Sequence, residues 1–326
     1  MILQVSVQMF LVILVGWLAR KRGYLSEEST AALGRLVIDV TFPALIFVQV
    51  LRTMSPAVLR AQWYVPLLGA AFILAGQAVG SLLAQFSAPR AQRPTFIFVV
   101  ALTNWVFLPL PICQALFGEA GTQAVLLMNV GAQALLWTLC VWRLGSHAET
   151  RPSARQLLLN PGLLATAAAL TLVLSGAPVD AWAKGVGEPL GTERAVKTVF
   201  DALAMVATLT VPLSMLVTGS QLAQAVARGL RVTQTGLGVL LGRLAMTPAL
   251  MLAGVLLARQ LGAQPAAVPV HVACLIAGMP VAVSCGAFCE RYGGDVALAT
   301  QVIFTSTALG LVTVPALEVA LRMAGV

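Results

Sequence analysis

Six residues interrupt the long apolar runs of this 326-residue chain with groups able to bind or carry charge: Asn104, Pro109, Pro111, Arg243, Pro280 and Ser284. Asn104 stands in Ala101-Leu102-Thr103-Asn104-Trp105-Val106-Phe107-Leu108-Pro109-Leu110-Pro111. Each proline removes an amide donor and clashes with the preceding turn, so carbonyls near Val106 and Phe107 lose their helical partners. In hydrocarbon such groups must face protein or a water-filled cavity. A proline kink with Asn104 bonded to a neighbouring helix is the structural alternative; two prolines beside an asparagine favour a functional break.

A second break is expected at Gly278-Met279-Pro280-Val281-Ala282-Val283-Ser284-Cys285-Gly286. Pro280 stops the helix, the glycines loosen it, and Ser284 offers a hydroxyl. If the two breaks cross, half-helix N-termini bring free amides and partial positive charge to one point, which suits an anion. The substrate-binding candidates are therefore Asn104, Pro109, Pro111, Pro280, Val281 and Ser284. Arg243 and Asp39 are the candidates for coupling or charge balance. An arginine about eight residues inside an apolar helix is a functional candidate by default, with snorkelling to the interface as the alternative. Asp39 lies four residues after Arg35, so an ion pair on one helix face is expected, with proton carriage second. Glu290, Arg291 and Asp295 read as a solvated turn. His147 and His271 show no partner that would make a ligand set.

The elements that must position these groups follow from composition. The chain is 59% hydrophobic and 10% charged, with mean hydropathy +0.91. A soluble surface needs far more charge, since soluble domains carry roughly 25% charged residues. A soluble enzyme, a secreted disulfide scaffold and a disordered chain are excluded, leaving an all-α polytopic membrane protein. A helical span takes about 20 apolar residues. Ten segments can be drawn: Ile2–Ala19, Ser26–Leu51, Trp63–Phe86, Thr95–Phe117, Ala120–Leu144, Leu163–Leu174, Val199–Leu222, Thr235–Ala258, Ala266–Phe288 and Val296–Leu321. The longest polar stretch, Asp180 to Lys197, separates the sixth from the seventh. The first segment carries its charge after the apolar run, at Arg20-Lys21-Arg22, so it reads as a retained helix and not a signal peptide.

The net charge of +8 is a topology signal and not a nucleic-acid footprint. With the N-terminus outside, twelve basic residues fall on the cytoplasmic side and seven outside, with Arg243 within a helix. Both termini are therefore expected outside. Cys113, Cys140, Cys274, Cys285 and Cys289 sit in apolar runs at spacings that fit neither zinc nor disulfides. No phosphate-binding, dinucleotide or zinc-protease motif is present, so no enzyme activity, metal or cofactor is expected.

The halves resemble one another. The second and seventh segments carry Thr41-Phe42-Pro43 and Thr210-Val211-Pro212; the third and eighth carry Gly76/Gly80 and Gly238/Gly242; the fourth and ninth are broken. Five helices is an odd number, so two such repeats lie in opposite orientations, an arrangement that places a binding site at paired broken helices. The expected organisation is 1–145 as the first five-helix repeat, 146–197 as polar loop, sixth helix and longest outer loop, and 198–326 as the remainder of the second, all one integral membrane domain.

Several motifs resemble the auxin efflux carrier family in its bacterial branch, related to the bile acid/sodium symporters. They are Arg22-Gly23-Tyr24-Leu25-Ser26, Thr41-Phe42-Pro43-Ala44-Leu45, Asn104 with Pro111 and Ala115-Leu116-Phe117-Gly118, and Asn160-Pro161. Further matches are Val211-Pro212-Leu213-Ser214, Arg243 with Pro248, Met279-Pro280-Val281-Ala282-Val283, Glu290-Arg291-Tyr292-Gly293-Gly294-Asp295, Ser306-Thr307 and Pro315. The resemblance covers nearly the whole chain. It implies ten helices in two inverted repeats, crossing helices four and nine, an elevator-like motion and a homodimer in the bacterial inner membrane. It also implies an organic anion as substrate: auxin in plants, malate or malonate in bacteria. Pro109 replaces the family's usual glycine, and Ser284 an asparagine common in bacterial members. Two other readings stay open: a sodium-coupled symporter, with H+ or Na+ as coupling ion, and a non-transporting membrane sensor.

Overall fold

A computed structural model describes residues 2–145, 159, 161–177, 179, 183, 192–227, 229, 232–263 and 265–323. His147 and Asn160 lie outside the described residues, as do Arg151, Arg155, Lys184, Arg228 and Arg231 from the charge count. The described residues are helical, with no strand among them.

Helix α1 (Ile2–Lys21) ends on Arg20 and Lys21, and Gly23 turns the chain in the left-handed region at φ 80°. Ser26 then caps α2 (Glu27–Thr53) by accepting from Ser29, with two acids in the first turn as the helix dipole favours. Within α2 a π-turn, Val37–Thr41, ends two residues before Pro43. The same device ends two residues before Pro248 in the later helix α9 (Gln234–Gln260). In each case the preceding amide bonds five residues back, which absorbs the register change that a proline forces.

The remaining elements are α3 (Val65–Ser87), α4 (Arg93–Ala101), α5 (Pro109–Leu144), α6 (Pro161–Leu174), α7 (Thr192–Thr208), α8 (Thr210–Ala227), α10 (Ala267–Ala277), α11 (Cys285–Tyr292) and α12 (Val296–Met323). Gly118 breaks the path of α5 at φ 58°. Ten spans are expected from the sequence. Among the described residues, five helical stretches are long and apolar enough to cross a membrane, six if the two bent pieces of α12 form one span. The difference arises where a break or a short run divides an apolar segment: α4 has 9 residues and α11 has 8, too short to cross alone.

Glycine decides where helices touch. A Cβ on Gly16 of α1 would meet the Leu216 carbonyl of α8 at 2.2 Å, and one on Gly219 of α8 would meet the Ile13 carbonyl of α1 at 1.9 Å. The same reciprocity joins α3 and α5 through Gly69 and Gly131, which face the carbonyls of Met128 and Pro66. Such close backbone approach is how apolar helices gain packing energy where lipid offers no hydrophobic drive. Of the glycine pairs noted in the sequence, Gly76 and Gly80 seat α3 on α4, while Gly238 and Gly242 seat α9 on side chains of α3 and α4. Helices α1, α2, α6, α7 and α8 pack as one group, and α3, α4, α5, α9, α10, α11 and α12 as another. Thr210 meets Thr41, its counterpart in the other half, by donating to its carbonyl at 2.7 Å.

Candidate functional site

Helix α4 ends at Ala101 and α5 begins at Pro109; α10 ends at Ala277 and α11 begins at Cys285. The two extended segments between them cross. Thr103 and Val281 form an antiparallel bridge, flanked by Asn104 N–H donating to the Pro280 carbonyl at 2.9 Å and Ala282 N–H to the Leu102 carbonyl at 3.1 Å. Three side chains fix this geometry. The Thr103 hydroxyl lies 3.1 to 3.3 Å from the carbonyls of Ile276, Met279 and Pro280. Ser306 accepts from Val281 N–H at 3.1 Å, and Asn104 Oδ1 accepts from Leu108 N–H at 3.3 Å. By contrast, the amides of Val106, Phe107, Val283 and Ser284 have no acceptor among the described residues.

A pocket of about 70 Å³ sits on the crossing, lined by Asn104, Trp105, Phe107, Asn129, Gln133 and Ser284 among others. The indole N–H of Trp105 is buried without an acceptor. The pocket shares Ile38, Trp137 and Phe288 with a cavity of about 540 Å³ whose charged lining is Glu27, Arg35, Asp39, Glu290 and Arg291. The small pocket therefore has a polar approach on one side.

The structure brings Asn104 and Ser284 together in the pocket wall. Pro109, Pro111, Pro280 and Val281 line neither cavity. The prolines lack the amide a ligand would need, and Val281 spends its own amide on Ser306. They shape the crossing. Asp39 is exposed in the π-turn of α2 and lines the large cavity; it makes no ion pair with Arg35, contrary to the expected pairing. The π register widens the spacing on which an i to i+4 pair depends. Glu290 and Arg291 are part of the cavity wall and not merely a solvated turn. Asp295 instead caps α12 by accepting from Leu298 N–H at 2.9 Å and ties it to Gln92 at 2.7 Å.

Arg243 does not snorkel. It is fully buried, outside both cavities, and donates to the Val100 carbonyl at 2.9 Å and to the Ala277 carbonyl. Those carbonyls belong to the last turns of α4 and α10, the negative ends of the two half-helices. The guanidinium also stacks 5.0 Å over Phe72, whose ring packs edge-on against Trp105 at 5.0 Å. One cation thus joins both breaks from behind.

Sequence reasoning missed two groups. Asn129, Gln133 and Trp137 stand at i, i+4 and i+8 in α5, with Trp137 Nε1 donating to Gln133 at 2.9 Å. Polar residues at that spacing within an apolar run were the available signal. Glu318, an acid inside the last apolar segment, pairs with His271 at 2.7 Å and so supplies the partner that the sequence did not reveal. All five cysteines are free and buried.

A model of the membrane transport protein family matches residues 1–152 and 146–317 of the chain. A search of curated proteins finds no match.

Proposed function

The chain belongs to the membrane transport protein family, the auxin efflux carriers that its sequence resembles, and from that premise we propose that it moves a small organic anion by alternating access. It is a multi-pass membrane protein. The observation that carries the anion reading is the crossing itself: the pocket on it is lined by Asn104, by Trp105 with its buried unpartnered indole N–H, and by Val106, Phe107 and Ser284, whose amides have no acceptor among the described residues. Oriented donors in a site shielded from water bind a carboxylate more strongly than they would in solution. Arg243 adds a fixed positive charge with no acid bonded to it. An arriving anion offsets that charge.

In this reading the chain forms ten spans as two inverted five-helix repeats. The contact between Thr41 and Thr210, and the antiparallel bridge between the two breaks, support a two-fold relation between the halves. Helices α1, α2, α6, α7 and α8 form the static part, through which a second copy docks; the helices carrying the crossing move against it as an elevator. The large cavity, bordered by Gln224, Glu290, Arg291 and Tyr292 of the expected cytoplasmic loops, is the inward vestibule. Asp39, exposed in that vestibule, faces the entering ion.

The test is counterflow of labelled malonate in proteoliposomes, with monocarboxylates and malate as competitors. Uptake is expected in the wild type, and Asn104→Ala should lower it at least tenfold while the unfolding temperature stays near wild type. Uptake equal to wild type in Asn104→Ala would reject the site. Sodium coupling predicts loss of flux when choline replaces sodium, and a sensor predicts malonate binding without counterflow.

A further inference from the structure

His271 and Glu318 take no part in the crossing. His271 lies near the start of α10, and Glu318 lies 22 residues into α12, ten residues beyond Ala308, the last residue of that helix to line the charged cavity, or roughly 15 Å of helix path. The Glu318 side chain is 1% exposed. Its Oε2 is 2.7 Å from His271 Nε2, and its Oε1 accepts from Arg322 Nε at 2.8 Å. Arg322 is 63% exposed and opens the cluster to water. An ionisable group at this depth in an apolar bundle is expensive unless paired, and each oxygen of Glu318 has a partner.

We propose that His271, Glu318 and Arg322 form a proton-binding site. Arg322 holds Glu318 as the carboxylate through a charge-assisted bond. The neutral imidazole then takes one proton from hydronium, forming one N–H bond as an O–H bond breaks and water leaves, and changing the charge of the cluster from 0 to +1. The new charge lies against the Glu318 carboxylate and 5.0 Å from the Phe117 ring, whose electrons favour a cation. Imidazole is the side chain whose ordinary titration falls between pH 5 and 8.

Ionisable groups from the neighbouring helices stand around the cluster. From α5, Cys113 lies within electrostatic reach of Glu318, and Glu119 is exposed and bonded to Gln123. From α9, Arg259 reaches Cys274, one turn beyond His271. Tyr64 accepts the amide of Ala266 at the start of α10. Helix α3 contributes no ionisable side chain. This reading stands on the cluster alone and does not depend on the identity of the transported ion.

The chain holds 2 histidines, so His147→Gln leaves His271 as the single imidazole. Nitrogen-15 histidine NMR of that variant in nanodiscs, titrated from pH 5 to 8, is expected to show one reversible protonation. Glu318→Gln on the same background should displace that midpoint by about one pH unit or more, the size of effect that a charged neighbour exerts. Arg322→Gln is the second variant, because its exposed side chain spares the fold if Glu318→Gln does not; it should displace the midpoint as well. An imidazole spectrum constant across pH 5 to 8 overturns the proposal. So does a midpoint that neither variant moves.

Discussion

Arg243 donates to the last-turn carbonyls of both half-helices, so its removal strands two buried acceptors at once. An unsatisfied buried polar group costs about 1–3 kcal/mol, and Arg243→Met should therefore lower stability by roughly 2–4 kcal/mol. Arg243→Lys keeps the charge but not the planar fork that spans both carbonyls, and should recover only part of that loss. Thermal unfolding in detergent reads both, and wild-type stability in the methionine variant would contradict the clamp. Trp105 gives the complementary case. Trp105→Phe keeps an aromatic ring against Phe72 and deletes the unpartnered N–H. Loss of one hydrogen bond to a charged ligand is worth about 1.5–3 kcal/mol, so malonate counterflow should fall roughly tenfold or more at unchanged unfolding temperature. A Phe variant with wild-type flux would take the indole out of the site.

Among the elements, the α3–α5 and α1–α8 contacts rest on glycines outside the Gly76/Gly80 and Gly238/Gly242 pairs. A Cβ at Gly131 would sit 1.8 Å from the Pro66 carbonyl, and one at Gly219 would sit 1.9 Å from the Ile13 carbonyl. Backbone cannot yield as a flexible side chain can. Gly131→Ala should therefore separate α3 from α5, and Gly219→Ala should separate α1 from α8, each lowering the unfolding temperature clearly. Gly254 in α9 has open space around its Cβ position, and Gly254→Ala should leave that temperature unchanged or raise it. Equal behaviour of the three variants would show that close packing does not decide stability here. The interrupted helices were legible because Pro109, Pro111 and Pro280 have a fixed local effect. The glycine contacts were not, because which glycine meets a carbonyl depends on where a distant helix lies.

For the molecule as a whole, the basic residues predict direction. Arg22 follows α1 on the expected cytoplasmic side, and Leu261, 79% exposed, follows α9 on the other. Because the native cysteines are buried, a membrane-impermeant maleimide applied to intact cells should label Leu261→Cys and spare Arg22→Cys. The reverse pattern would invert the topology. Labelling of Leu261→Cys alone would place the mouth of the cavity of about 540 Å³ on the cytoplasmic side.

The sequence by itself determined that the chain lives in a membrane, where its helices break and to which family it belongs. Those properties rest on local chemistry: hydropathy, missing proline amides and charges beside apolar runs. It also singled out Asn104 and Ser284, which the fold places in one pocket. Only the tertiary structure decided what faces what. It removed Pro109, Pro111, Pro280 and Val281 from the pocket wall, separated Asp39 from Arg35 and turned Arg243 inward onto two carbonyls. It also paired His271 with Glu318 across 47 residues of chain. Partners that distant are joined by packing of whole helices, and packing depends on the path of the chain in three dimensions, which residue spacing does not encode.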